Sequence, residues 1–333
     1  MHFTRKSTVY VTRGDGLDAV HEVAVAVIDE RGHLLRAGDP EAVVFARSSL
    51  KPFQALALFP SGAARQFELS QEELAIACAS HSGSDRHVAV VQGLLGKIGA
   101  SAGDLGCGVQ WPIGMRLENR YPSEGEDSDP LRHNCSGKHA GFLAVARALE
   151  QPLAAYLEPE SKVQTLVRAV LASACEIDEN LLGSGVDGCS APNYALPLRV
   201  LAQAAKRLAS ADASESCAGL AAVRRAMLTH PLLVSGPGRF DYQLTCAFPD
   251  NLVCKAGAEA IQLIGFEDPP LGIAVKVLDG AERALAPAVM AVLRRLGLSA
   301  DRLPQLSERV RPAVTNARGI VTGELIASID LET

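Results

Sequence analysis

The chain has 333 residues, 48% hydrophobic and 21% charged, and its 32 basic against 38 acidic residues leave a formal net charge of -6. That length suits one large domain with an ample core, and without a basic stripe or a Lys/Arg run interleaved with aromatics a nucleic-acid footprint is excluded. No run of roughly 18 apolar residues is present to cross a membrane. The start, "MHFTRKSTVYVTRGDG", has neither the apolar stretch nor the small-residue cleavage site of an export signal, so a cytoplasmic protein is expected. In a reducing compartment the eight cysteines are read as thiols rather than disulfides.

In chain order, "VHEVAVAVIDERGHLLRAG" alternates and then turns at Glu30-Arg31-Gly32, which predicts a β-hairpin. "KPFQALALF" reads as a short apolar helix. "SDRHVAVVQGLLGKIG" reads as a helix capped by Ser84 or Asp85 and stopped at Gly99. About 30 residues of Gly/Pro-rich loop follow, "CGVQWPIGMRLENRYPSEGEDSDPLRHNCSGK", including a solvated acidic patch; loops that long are usually functional. "KHAGFLAVARALE" and "ESKVQTLVRAVLASAC" are helices, the second capped by Ser161. "GSGVDGCSAPNYALPL" reads as a tight Gly-rich loop before the helix "LPLRVLAQAAKRLAS". "CAGLAAVRRAMLTHP" is a helix ended by Pro231. "NLVCKAGAEAIQLIGF" reads as strand, turn at Lys255-Ala256-Gly257, and strand. "LGIAVKVLD" is a buried strand, "AERALAPAVMAVLRRLG" a helix, and "GIVTGELIASID" a closing strand. Strands at both ends with helices between, over roughly residues 50–230, predict a single α+β catalytic domain, 1–333, with a mixed or antiparallel sheet flanked by helices.

"FARSSLKPFQ" holds Ser48, Ser49, Leu50 and Lys51. Proline is tolerated only in a first helical turn, so Pro52 places the helix start near Ser48 or Ser49. Ser48 and Lys51 then share a face, and Ser49 points elsewhere. A neutral lysine beside a serine can take its proton, and a helix N-terminus favours a developing oxyanion. The same residues also suit a plain N-cap. "CASHSGSD" adds Ser80, and "CKAGAE" adds Lys255 before a glycine. Ser-x-x-Lys, a serine loop and a late Lys-x-Gly occur in that order in serine β-lactamases and penicillin-binding proteins. Here Ala256 stands where those proteins usually carry a hydroxyl residue.

"RHNCSGKHAGF" gathers His133, Cys135, Lys138 and His139 at a helix start, and "GVDGCSAPN" adds Asp187 and Cys189. Two loop cysteines and a histidine can bind zinc, although the spacing matches no zinc-finger pattern. Capping residues and buried thiols account for the spacing too. A lysine would ligate only as the neutral amine.

Taken together, "ARSSLKPFQ", "ASHSG", "HNCSGKHAG", "GVDGCSAPNYALPL" and "CKAGAEA" resemble the rhizobial-type (class 3) L-asparaginases over nearly the whole chain. The resemblance implies a fold similar to serine β-lactamases and a glutaminase family, a homodimer, and hydrolysis of L-asparagine to L-aspartate and ammonia. Another serine acyl-transfer hydrolase on that fold, a glutaminase or β-lactam hydrolase, is the alternative. It implies Ser48 as nucleophile with Lys51, a second pair of Ser80 with Lys255, and one zinc ion (Zn2+) held by Cys135, Lys138, Cys189 and water. Two lysines close to two serines repel, which helps to keep one neutral. Arg47 can clamp the substrate carboxylate bidentately, Asp187 can pair with its ammonium, and His139 can hydrogen-bond the substrate or a ligand.

Overall fold

The computed structural model describes residues 6–120, 129–214, 217–298 and 304–333. Strands β1 (Thr8–Arg13), β2 (Gly16–Ile28), β3 (Leu34–Ala37) and β4 (Val43–Phe45) lead into a 3-10 turn, Arg47–Leu50. The helices α1 (Lys51–Gln54), α2 (Ala63–Gln66), α3 (Gln71–Ala77), α4 (Asp85–Lys97), α5 (Ile113–Leu117), α6 (Ser136–Ala148) and α7 (Lys162–Cys175) follow. After the hairpin of β5 (Gly183–Val186) and β6 (Pro192–Pro197) come α8 (Leu198–Ala209), α9 (Ala218–Thr229), α10 (Pro231–Val234) and α11 (Phe240–Ala247). Strands β7 (Leu252–Gly257), β8 (Ile261–Phe266) and β9 (Leu271–Val277), helices α12 (Glu282–Arg295) and α13 (Pro304–Val310), and strands β10 (Ala313–Thr315) and β11 (Val321–Ser328) complete the chain.

The chain divides into two compact units, Met1–Ser49 with Leu196–Ser210 and Gln243–Thr333, and Leu50–Ala195 with Ala211–Tyr242. The first is built on a sheet of order β10-β11-β1-β2-β9-β8-β7, with β3 also paired to β2. Its described pairings are antiparallel. Strands β8 and β9 are buried at every residue. Their sequences, IQLIGF and LGIAVKV, are accordingly near-continuous apolar runs, as a strand covered on both faces requires.

Helices α8 and α12 both pack on β9. Leu198, Leu201, Ala202, Ala205, Leu208 and Ala209 are buried along α8, one apolar face at the 3.6-residue period. The helix lies almost on the sheet backbone. A Cβ added to Gly265 would stand 2.2 Å from the Ala205 carbonyl oxygen, and one on Gly272 would stand 1.9 Å from that of Ala202. No side chain fits such gaps, so glycine at these two positions sets the layer spacing.

The second unit is helical around α6. That helix is buried from Ser136 to Ala146, and α2, α3, α4 and α7 pack on it. A helix buried on all sides carries no polar stripe, and α6 has the composition SGKHAGFLAVARA. Gly137 allows the contact with α3, since a Cβ there would be 2.1 Å from the Ile76 carbonyl oxygen. Helix α3 is held at its start by a capping box, in which Ser70 Oγ accepts from Glu73 N–H and Glu73 accepts from Ser70 N–H.

The architecture is α+β, with strands from both ends of the chain in one sheet, as the sequence predicts. Among the described residues no helix is long and apolar enough to cross a membrane. Three local readings change. "GSGVDGCSAPNYALPL" is not only a loop: it contains the antiparallel hairpin β5–β6. Lys255 and Gly257 lie inside β7, paired with Leu263 and Ile261, so the turn falls after them. The long segment before α6 contains α5 and a 3-10 turn, Pro130–Arg132, and most of its acidic patch lies outside the described residues.

Replacing Gly272 with alanine is expected to destabilise the protein by about 1–3 kcal/mol, the usual cost of forcing extra atoms into a packed layer. Gly93, exposed in α4 with open space around it, is expected to gain up to about 1 kcal/mol from the same change. Equilibrium urea denaturation of both variants checks the pair, and equal shifts would contradict the close approach.

Candidate functional site

The helix start at Lys51 follows from Pro52, which occupies the first turn where its missing N–H costs nothing. Ser48 is half-buried in the preceding 3-10 turn, and Ser49 is fully buried. The Ser49 hydroxyl donates to the Ala46 carbonyl at 2.6 Å, which makes it a local backbone tie. Arg47, just before Ser48, adopts φ +53°, a left-handed conformation that non-glycine residues enter at a cost.

In the helical unit, the segment after α3 runs extended from Ala79. Ser80 N–H donates to the Val234 carbonyl, His81 N–H to Asn134 and Ser82 N–H to Ser235. Alternate residues therefore face opposite sides. The Lys51 amine is buried and donates to the Ala79 carbonyl at 2.6 Å and to Ser80 Oγ at 3.0 Å. Ser80 is thus within hydrogen-bond reach of Lys51.

The start of α6 brings in the second group. Cys135 is the N-cap residue, and its N–H donates to His133 Nδ1 at 3.0 Å. Lys138 lies one turn on and donates to Cys189 Sγ at 3.0 Å. Cys189 sits in the turn of the β5–β6 hairpin. Asp187 shapes that turn: its N–H donates to Ala191, its carbonyl accepts from Ser190 N–H, and its carboxylate accepts from Gly188 N–H. Cys135, Lys138, Cys189 and His139 are all buried.

These buried groups neutralise one another. A hydrogen bond from Cys189 holds the Cys135 thiol well below its usual range against the cost of burial, and the nearby Lys51 and Lys138 charges add to the shift. The same hydrogen bond, and then burial, raises Cys189. Burial opposes the Lys138 ammonium, but the Cys189 and Cys135 sulfurs outweigh it and raise the group. Cys107 is pushed up to about 12 by burial and by the two sulfurs.

Two sulfurs and one amine converging away from solvent form a donor set suited to zinc, which favours thiolate and nitrogen ligands. Among the described residues no group of three or more His, Cys, Asp or Glu is arranged to hold a metal ion. The set here has two such residues and completes itself with lysine.

The sheet-bearing unit holds the remaining candidates. Arg47 faces Glu259 at 3.9 Å. Gly257, at the end of β7, allows the close approach of the segment before Arg47, since a Cβ there would lie 2.6 Å from the Ala46 carbonyl oxygen. Lys255 is buried in β7 and donates to the Ala256 carbonyl at 2.9 Å.

Several participants carry no signal in the sequence. Tyr156 Oη lies 2.6 Å from His139 Nδ1, across 17 residues with no motif between. His81 Nδ1 accepts from Gly83 N–H, so its Nε2–H donates to Ser136 Oγ at 2.9 Å. His81 also stacks on His87, ring centroids 4.9 Å apart.

A sequence profile of the family described as L-asparaginase II matches residues 9–327. No curated protein is significantly similar to the chain in sequence. Among solved structures, Mglu in its native form is 16% identical, with a TM-score of 0.36 over 84% of this chain and 62% of Mglu. The chain therefore spans less than two thirds of that protein. The octameric penicillin-binding protein homologue from Pyrococcus abyssi is 12% identical, with a TM-score of 0.44 over 89% of this chain and 79% of the homologue.

The stacked histidines predict a pH dependence. Burial and then neighbouring charge lower His81, and burial lowers His87 against the opposing hydrogen bond to the Leu232 carbonyl. The unfolded chain takes up these protons below about pH 6.5 while the folded chain resists them. Stability is then complete above about pH 6.5 and declines as the pH falls. His87→Gln keeps a residue suited to the capping box with Ser84 and is expected to flatten the decline. Thermal midpoints between about pH 7 and 5 test this, and identical slopes for both proteins would refute it.

Proposed function

The chain belongs to the L-asparaginase II family, whose members hydrolyse amides, and we propose that it converts L-asparagine and water to L-aspartate and ammonia by a serine–lysine mechanism. The observation that supports this reading most is the buried Lys51, three residues after Ser48 in the chain, whose amine reaches Ser80 Oγ at 3.0 Å.

In this reading Ser48 Oγ attacks the side-chain amide carbon, and its proton passes to Lys51 Nζ. The C–N bond of the tetrahedral adduct breaks as the nitrogen takes up the proton, so ammonia leaves and an acyl-enzyme remains. Water then attacks the ester, gives its proton back through the lysine to Ser48, and releases aspartate. Ser80, with Lys255 as its second partner, serves as the relay. Hydrogen-bond donors at the start of the helix stabilise the oxyanion. Arg47 takes the α-carboxylate and Asp187 the α-ammonium.

Cys135, Lys138 and Cys189 would hold one zinc ion. A bound zinc supplies a fixed positive charge that orients an anionic or carbonyl oxygen of the substrate. The protein is read as a cytoplasmic homodimer. Nothing beyond pocket size separates asparagine from glutamine, and one methylene is worth only about 1–3 kcal/mol.

Ser48→Ala is expected to lower kcat by about a thousandfold or more, measured as ammonia release from asparagine. Full activity in that variant would remove Ser48 as nucleophile. Release from glutamine with none from asparagine would change the substrate. Cys135→Ala and Cys189→Ala are each expected to lose stoichiometric zinc by elemental analysis, with KM rising more than kcat falls. Full zinc content in both variants would mean that other residues hold the metal.

A further inference from the structure

The turn between β7 and β8 holds two residues in a conformation that most side chains avoid. Glu259 has φ +61° and Ala260 φ +55°, a left-handed region that glycine enters freely and other residues enter at a cost. Strain of this kind persists only where neighbours enforce it, and it gathers at functional sites. Buried Lys276, at the end of β9, donates through Nζ to the Glu259 carbonyl and, at 2.7 Å, to the Val277 carbonyl. Val277 N–H donates to the Ala260 carbonyl at 3.0 Å. Gly280, at φ +77°, leaves room for the Glu259 carboxylate, which a Cβ there would strike.

Across from that carboxylate stands Arg47, itself at φ +53° and directly before Ser48. All three strained residues belong to the sheet-bearing unit. The guanidinium and the carboxylate are 3.9 Å apart, beyond hydrogen-bond length. Ion pairs elsewhere in the protein close to contact, as Arg168 does with Glu179 and Arg199 with Glu41, both at 2.5 Å. The pair of Arg47 and Glu259 is instead open, with opposite charges side by side on braced backbones. The Glu259 side chain is 66% exposed, so a ligand can reach its carboxylate from solvent.

A positive and a negative group placed side by side complement the α-carboxylate and α-ammonium of an amino acid laid across them. We propose that Glu259 is a further substrate-binding residue, whose carboxylate accepts a hydrogen bond from the α-ammonium of the amino acid that Arg47 holds by its α-carboxylate. The proposal rests on Arg47 as the carboxylate clamp, as inferred above. Asparagine carries both α-groups one methylene from the amide that it loses, so both belong close to the nucleophile, and Arg47 adjoins Ser48 in the chain. An ammonium has three N–H donors, so Glu259 adds to the Asp187 contact and does not displace it. The pair also selects: a carboxylate ligand without an amino group meets the Glu259 charge with nothing to offset it.

Succinamate, which is asparagine without its α-amino group, separates this role from a structural one. Ammonia release is measured from both compounds, and the readout is the ratio of kcat/KM for asparagine to that for succinamate. Glu259→Gln removes the charge and is expected to lower the ratio about three- to tenfold, the scale of one hydrogen bond to a charged group partly open to water. Glu259→Lys, which repels the ammonium, is expected to lower it further. Calorimetric binding of L-aspartate and of succinate gives the same comparison without turnover. Ratios unchanged in both variants overturn the proposal, including the case in which both compounds lose equally, as they would if the turn merely supported the fold. Parent protein that releases no ammonia from asparagine defeats the proposed function, and this inference then stands or falls on the binding ratio alone.

Discussion

The helical unit depends on balancing charge where water is absent. Lys51, Lys138, Cys135 and Cys189 are each buried, and an isolated ammonium or thiolate in such surroundings would be very costly. The cost is met by mutual compensation. Lys138 faces Cys189 at 3.0 Å, Lys51 is tied to Ala79 and Ser80, and Cys189 with the nearby lysines holds the Cys135 thiol below its usual range. Removing any one member leaves its partners buried and uncompensated, so the four behave as one electrostatic object.

Backbone proximity allows that object to exist. Gly137 brings the start of α6 against the end of α3, and the extended segment carrying Ser80 follows directly from α3. The Cys135 and Ser80 backbones are therefore placed by helix packing rather than by loop length. The sheet-bearing unit uses the same device at Gly265 and Gly272, where α8 meets β8 and β9. In both units a glycine is placed where a carbonyl of the facing element would meet a Cβ.

Much of this was legible in the sequence because the signals were local. Ser84 and Ser161 cap α4 and α7 as read, and Pro52 marks the start of α1. Lys255 was misplaced into a turn because Lys-Ala-Gly has turn-like chemistry. Its strand is fixed by pairing with β8, which is a non-local property. "GSGVDGCS" resembles a plain loop for the same reason, since only cross-strand partners reveal β5. Tyr156 was invisible because the link to His139 exists only after α6 and the following segment fold together. Cysteine and lysine candidates were found through residue type, and their supporting partners were not.

Cys189 is the one sulfur of the pair carried by a strand connection instead of a helix. Its turn is bracketed by a short ladder, Gly183↔Ala195 to Val186↔Pro192. In a ladder with period two, a slip of one residue exchanges inner and outer faces. The hairpin therefore works as a mechanical gauge: pairing in the correct register delivers a sulfur to Lys138, and a shifted register delivers Gly188 or Ser190. Loop-length variation between Val186 and Pro192 is thus more tightly constrained than surface exposure suggests, because length there sets which atom arrives at the charge cluster.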